Sequence, residues 1–279
     1  MDFKIVVDSC CDLPEELRRD AHFVSVPLTL TVGDTDIIDD ETFDQADFLK
    51  KVKNCPNSPK SACPSPAVYM DAFTTEEPTD IYVVTLSAEL SGSFASAEVG
   101  RNMYAEEGGT NQVHTFNSMS ASSGEVLVAK KIQEAAGEGK VFAEVVESVE
   151  AYIKEMRTYF VIETLDTLRK NGRLTNLQAI MAGALSIKPI MSAEDGKIIK
   201  LGQTRGIDRA LNKMIDIVNE HTKNQEEKEL IIAHCNCSER AAAVKARIEN
   251  LMHCKTVSVV ETHGISSMYA NEGGIIIAV

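Results

Sequence analysis

Polar side chains able to grip a ligand collect where runs of Val and Ile end. Asp8-Ser9-Cys10-Cys11-Asp12 follows the run at 4–7, and Ser87 to Ser93 follows the run at 80–86. His234 ends the run at 229–233, and Thr262-His263-Gly264 follows 256–261. In open α/β sheets, ligands sit beyond the carboxyl ends of the strands. The Ser91-Gly92-Ser93 turn, feeding a helix near Phe94, offers backbone N–H groups and a positive dipole end. That chemistry suits a carboxylate or a phosphate. Taken alone, the turn reads more economically as an ordinary serine-capped helix. Ser61 and Ser65, in a loop at 54–66 carrying four prolines, add two hydroxyls; plain turn chemistry is the alternative. Arg169, Lys170 and Arg173 place three cations within five residues, enough for a phosphate, a carboxylate or an acidic partner. A helix C-terminus with Gly172 just past it accounts for Arg169 and Lys170, and less well for Arg173.

Other chemistries lack their signatures. There is no G-x-S-x-G elbow to signal a hydrolase serine, and neither a P-loop nor G-x-G-x-x-G to bind a nucleotide. His234, Cys235, Cys237, His253 and Cys254 are zinc-ligand types, but C-x-C is not the usual C-x₂-C knuckle, and a cysteine ending a strand reads as core. No metal is expected. Seven carboxylates lie between Asp34 and Asp47 without the EF-hand spacing, so that segment reads as a solvated acidic face.

These residues need a scaffold of alternating elements. Strands are expected at 4–7, 80–86, 159–165, 229–234, 256–261 and 274–279, most of them continuous apolar runs of the kind covered on both faces. Helical stripes fall at 141–156 and 206–221, and Ser238 stands where it would cap a third helix. The alternation predicts an α/β fold with largely parallel sheets. One exception is a β-hairpin turning at Asp195-Gly196. The boundary between two domains, 1–160 and 161–279, is placed after the helix at 141–156.

The chain has 279 residues, 44% of them apolar and 25% charged, which is a globular balance. Tryptophan is absent and aromatics are 5%, so any cavity is mostly aliphatic. A net charge of −14 argues against nucleic acid or an anionic membrane surface as partner. No run approaches the roughly 20 apolar residues of a spanning helix, and the N-terminal run is too short for a signal peptide. Seven cysteines, an odd number, read as free thiols in a reducing cytoplasm.

Several motifs in order resemble the DegV family of fatty-acid-binding proteins, whose members serve as the FakB-type, lipid-carrying subunit of bacterial fatty acid kinase. They are Val7-Asp8-Ser9 with Asp12, Lys60-Ser61-Ala62-Cys63-Pro64-Ser65, Leu86 to Phe94, Thr164 to Arg173, Ile187-Lys188-Pro189-Ile190 with Asp195-Gly196-Lys197, and Tyr269 to Gly274. The resemblance implies two α/β domains with an acyl chain buried between them and its carboxylate at the junction. It implies carboxylate contacts from Ser61 and from Ser91, Gly92 and Ser93, with His263 near the position of a family histidine. Arg173 matches an arginine implicated in working with the kinase subunit. The sequence departs from the family at Ala62 and Cys63, and again where His263-Gly264-Ile265-Ser266-Ser267 replaces the usual His-Thr-Gly-Pro-Gly.

The expected function is a non-enzymatic carrier: it binds a long-chain fatty acid without a cofactor and presents it to a separate ATP-binding kinase. The alternatives are an acyl hydrolase using Ser91 or Ser93 with His263, and a metal- or redox-responsive regulator using Cys235, Cys237 and Cys254. Met181, Leu185 and Ile190 are candidates to line the tunnel.

Overall fold

A computed structural model describes residues 2–174 and 186–279. Met181 and Leu185 lie outside the described residues.

The first sheet has the order β2-β1-β6-β7, from β1 (Asp2–Asp8), β2 (Phe23–Val26), β6 (Thr79–Thr85) and β7 (Val113–Asn117), and every pairing is parallel. All seven residues of β6 are buried, as the continuous run at 80–86 predicts for a strand covered on both faces. Helices α1 (Glu15–Arg18), α3 (Pro66–Ala72) and α4 (Ser93–Glu106) belong to this half, as does α2 (Gln45–Asn54). A small antiparallel sheet, β4-β3-β5, joins β3 (Thr29–Val32), β4 (Thr35–Ile38) and β5 (Lys60–Ala62). Its third strand falls inside the proline-rich segment that sequence alone reads as a loop.

The second large sheet has six strands in the order β10-β9-β8-β13-β11-β12. These are β8 (Thr158–Val161), β9 (Ile187–Glu194), β10 (Lys197–Arg205), β11 (Glu229–His234), β12 (Thr256–Glu261) and β13 (Ile275–Ala278). The α/β expectation holds, but largely parallel sheets are found only in the first half. Here only β11 and β12 pair in parallel; β13 enters antiparallel between β8 and β11. A continuous apolar run encodes burial, not direction. The β9–β10 hairpin forms where expected. Asp195 (φ 49°) and Gly196 (φ 75°) both take the left-handed conformation that a tight two-residue hairpin turn requires.

Helix α5 (Ser123–Gly137) lies between the two large sheets and packs against β1, β6, β11 and β13. Its Val126, Leu127, Val128, Ala129, Ile132 and Ala135 are all buried, so one core runs from Ile5 and Val84 through this helix to Ile231 and Ala278. Helix α6 (Phe142–Glu155) covers it: of the expected stripe Val145, Val149, Tyr152 and Met156, all but the partly buried Tyr152 are buried, and Ile153 joins them. A second core packs Ile190, Tyr159 and Val161 against α8 (Ile207–His221) and α9 (Ser238–Leu251). Ile190 therefore faces away from the cavity described below, because neighbouring residues on a strand point to opposite faces. Ser238 is the first residue of α9; Cys237 holds the cap position, and no side-chain cap bond forms there. Two short helices, α7 (Asp166–Lys170) and α10 (Gly264–Ala270), border the cavity.

Candidate functional site

Between the two large sheets lies a cavity holding about 770 Å³ of empty space, part of it open to solvent. Leu86 and Leu90 line it from the first half, Phe160, Ile198 and Ile276 from the six-stranded sheet, Ile162 from just past β8, and Ile265 and Ala270 from α10. Such a wall suits an aliphatic ligand. Polar groups on the wall are few. Arg173 and Tyr269 stand together, the guanidinium carbon 6.0 Å from the ring centroid.

The expected site residues fall into layers around that pair. Arg173 is the only one of them on the cavity wall. Gly172 takes a left-handed φ of 76°, as the helix-end reading requires, while Arg173 Nε donates to Leu90 O at 3.1 Å. The chain reversal thus aims Arg173 inward, which capping alone does not explain. Ser61, on β5, lies one hydrogen bond behind the wall, its Oγ 3.4 Å from the Tyr269 hydroxyl. Ser91, Gly92 and Ser93 follow directly on Leu90 and open α4, with Gly92 at the cap. Ser93 is fully buried; its Oγ lies 3.1 Å from Ser91 Oγ and faces the Asp8 carboxylate.

His263 is not on the wall. Its N–H donates to Asp12 at 2.6 Å, its Nδ1 lies 3.4 Å from Asp39, and it borders a surface cleft with Ser9 and Asp40. Tyr269, which the sequence named only as the start of the Tyr269 to Gly274 motif and gave no site role, stands beside Arg173 and Ser61.

A loop the sequence reading also missed helps to shape the cavity. Ser118 to Ser122 joins β7 to α5, and Met119 (φ 53°) and Ser122 (φ 58°) are both left-handed. Such strain persists only where the surroundings over-determine it. Here Ser87 N–H donates to Ser120 O at 2.7 Å, Ser120 Oγ and Thr158 Oγ1 lie 2.6 Å apart, and Ser122 Oγ donates to Asp12. A serine run following a strand's carboxyl end was the available cue.

Carboxylates underlie this architecture. Asp39 is 1% exposed, unlike Asp34, Asp36, Glu41, Asp44 and Asp47, which form the expected solvated face. It accepts from the amides of Gly264 and Ile265, both at 2.8 Å, and from Ser9 Oγ at 2.9 Å, so it caps α10 from outside that helix. Burial pushes Asp8 up to about 6, against hydrogen bonds from the Leu86 and Cys10 amides that pull it down. Burial likewise raises Asp12. Glu125, on α5, is fully buried, and neither oxygen meets a donor. Burial drives its carboxyl well above the ordinary range, with the Asp8 charge adding to the effect. A protonated Glu125 turned toward Asp8 meets the needs of both.

Asp8, Cys10 and Glu125 each bring a ligand-type atom within 4.8 Å of the others, the one such grouping among the described residues. His234, Cys235, Cys237, His253 and Cys254 do not converge into another. Cys10 and Cys11 are buried, and desolvation raises both thiols well above the usual range, which makes them poor nucleophiles. All seven cysteines are free. Among the described residues no serine hydroxyl bonds to His263 or His234.

Comparison with known proteins agrees with this architecture. The family model described as DegV matches residues 2–279. A DegV domain-containing protein of Streptococcus pneumoniae is 32% identical over 280 residues, spanning 99% of this chain and 98% of that protein. A crystal structure of a DegV family protein from Ruminococcus gnavus, refined with vaccenic acid, superposes with a TM-score of 0.96 at 48% identity, covering 99% of both chains. The Streptococcus pneumoniae fatty acid kinase B3 protein, loaded with linoleic acid, gives a TM-score of 0.90 at 31% identity, covering 100% of this chain and 99% of that one.

Proposed function

The chain belongs to the DegV family, and on that premise we propose that it is a carrier for a long-chain fatty acid. The acyl chain occupies the cavity between the two large sheets, the sheet of β1, β2, β6 and β7 on one side and the six-stranded sheet on the other. Its carboxylate lies at the end where Arg173, Tyr269 and Ser61 meet, near Ser91, Gly92 and Ser93. The observation that carries this reading is the cavity itself, whose wall is mainly apolar and includes Arg173 beside Tyr269. Each buried methylene contributes about 0.8 kcal/mol, so a sixteen-carbon chain supplies roughly ten kcal/mol before ordering costs. The head group must be paired as it leaves water, and Arg173 with the hydroxyls does that without a catalytic base.

The bound carboxylate is then the substrate of a separate kinase. Its oxygen attacks the terminal phosphorus of ATP, ADP departs, and an acyl phosphate remains on the carrier. Arg173, at the mouth, is the residue assigned to that encounter. The lack of a nucleotide motif in this chain and the likeness to a fatty acid kinase B protein support the division of labour. Seven free thiols support a cytoplasmic setting.

Native mass spectrometry of the purified protein, followed by solvent extraction, tests the reading. One fatty acid per chain is the expected result. A protein that is empty and takes up no added fatty acid would overturn it.

A further inference from the structure

The cavity has a direction. Thr158 and Phe160 share one face of β8, and Ile162 continues the line just beyond it. At about 3.3 Å per residue these positions span roughly 13 Å. Ile162 packs with Leu168, Ala270 and Tyr269, at the Arg173 end. Thr158 is bonded to Ser120 beside Met119, at the far end.

A second cleft lies beyond that far end, open to solvent and holding about 1330 Å³ of empty space. Met119, Thr158, Ala193 and Gly196 line both spaces, so they form a wall one side chain thick. Three of the four are fixed or small. Thr158 is held by Ser120, the Gly196 carbonyl accepts from Ser87 Oγ at 2.7 Å, and Ala193 has only a methyl group. Met119 differs. Asn117 Oδ1 holds its amide at 3.1 Å, but its side chain is long, unbranched and 41% exposed, and its sulfur lies 3.2 Å from where a Cβ on Gly196 would stand. A methionine of this kind adapts its shape to what presses on it. Past it, the cleft offers Ile153, Met156, Ile199 and Leu201 among polar neighbours.

We propose that Met119, seated on the wall with Thr158, Ala193 and Gly196, is the stop that sets the acyl length this protein accepts. An acyl chain that outgrows the cavity must displace the Met119 side chain and lay its end in the cleft. The inference rests on the carrier reading above.

Delipidated wild type, Met119→Ala and Ala193→Leu are titrated with saturated fatty acids of fourteen to twenty carbons. The readout is the ratio of twenty-carbon to fourteen-carbon affinity within each protein. Removing the stop raises that ratio, by about tenfold for every two methylenes newly admitted. Ala193→Leu thickens the wall and lowers it. Ratios equal to wild type in the variants that fold would overturn the length stop while leaving the carrier intact. Wild type that binds no fatty acid of any length overturns the carrier reading, and the length stop with it.

Discussion

Tyr269 is the residue through which the site is organised. It touches Ser61 on one side, lies beside Arg173 on the other, and faces the cavity. A hydrogen bond to a charged group is worth about 1.5–3 kcal/mol. Tyr269→Phe and Ser61→Ala should therefore each weaken fatty-acid binding about tenfold, measured by displacement of a fluorescent fatty acid. Unchanged affinity in both would remove the pair from the carboxylate. Ser93 acts from deeper, between Ser91 and Asp8, so Ser93→Ala should weaken binding with the fold retained. Arg173→Ala is expected to lower the kinase-dependent rate of acyl phosphate formation more than it lowers fatty-acid affinity. Equal losses in the two assays would confine Arg173 to holding lipid.

At the scale of elements, α10 is seven residues long and too short to persist alone. It carries Ile265, Ser266, Tyr269 and Ala270 into the cavity, and Asp39 holds its first turn from the end of the small antiparallel sheet. Gly264 is required there, since a Cβ would stand 2.5 Å from Asp39 Oδ1 and 2.8 Å from Leu30 Cδ1. Asp39→Ala strips the acceptor from two amides and from Ser9, so it should cost about 2 kcal/mol or more in denaturant unfolding, and fatty-acid affinity should fall with it. A stability change below about 0.5 kcal/mol would mean that Asp39 is a bystander. The left-handed loop from Met119 to Ser122 plays the corresponding part on the other side of the cavity, pinned by Ser87, Asp12 and Thr158.

Across the whole molecule, the core is shared. Helix α5 joins the two large sheets and buries Glu125 beside Asp8 at their junction. The folded-state pKa of Glu125 is raised by burial above its unfolded value. The stability tied to its neutral form is complete below the unfolded pKa of about 4.3 and is lost as pH rises toward the folded value. Glu125→Gln is neutral throughout and lacks this loss. Its melting temperature relative to wild type should become more positive between pH 5 and pH 8. A difference that stays flat or falls would show that Glu125 is ionised in the fold. Among the described residues no helix is long and apolar enough to cross a membrane.

The sequence by itself determined the elements and the family. Continuous apolar runs located β1, β6, β11 and β12 to within a residue or two, helical stripes located α6 and α8, and Asp195-Gly196 fixed the hairpin, because each rests on local periodicity or local backbone conformation. Ordered motifs carried the family, and Gly172 marked a true helix end. Tertiary structure alone decided the direction of β13, the burial of Asp39 within an acidic run, and the placing of Tyr269 beside Arg173. Those outcomes depend on contacts between residues far apart in the chain: Ser61 meets Tyr269, Asp39 meets Gly264, and Met119 meets the hairpin at Gly196 only once the two sheets have closed on α5.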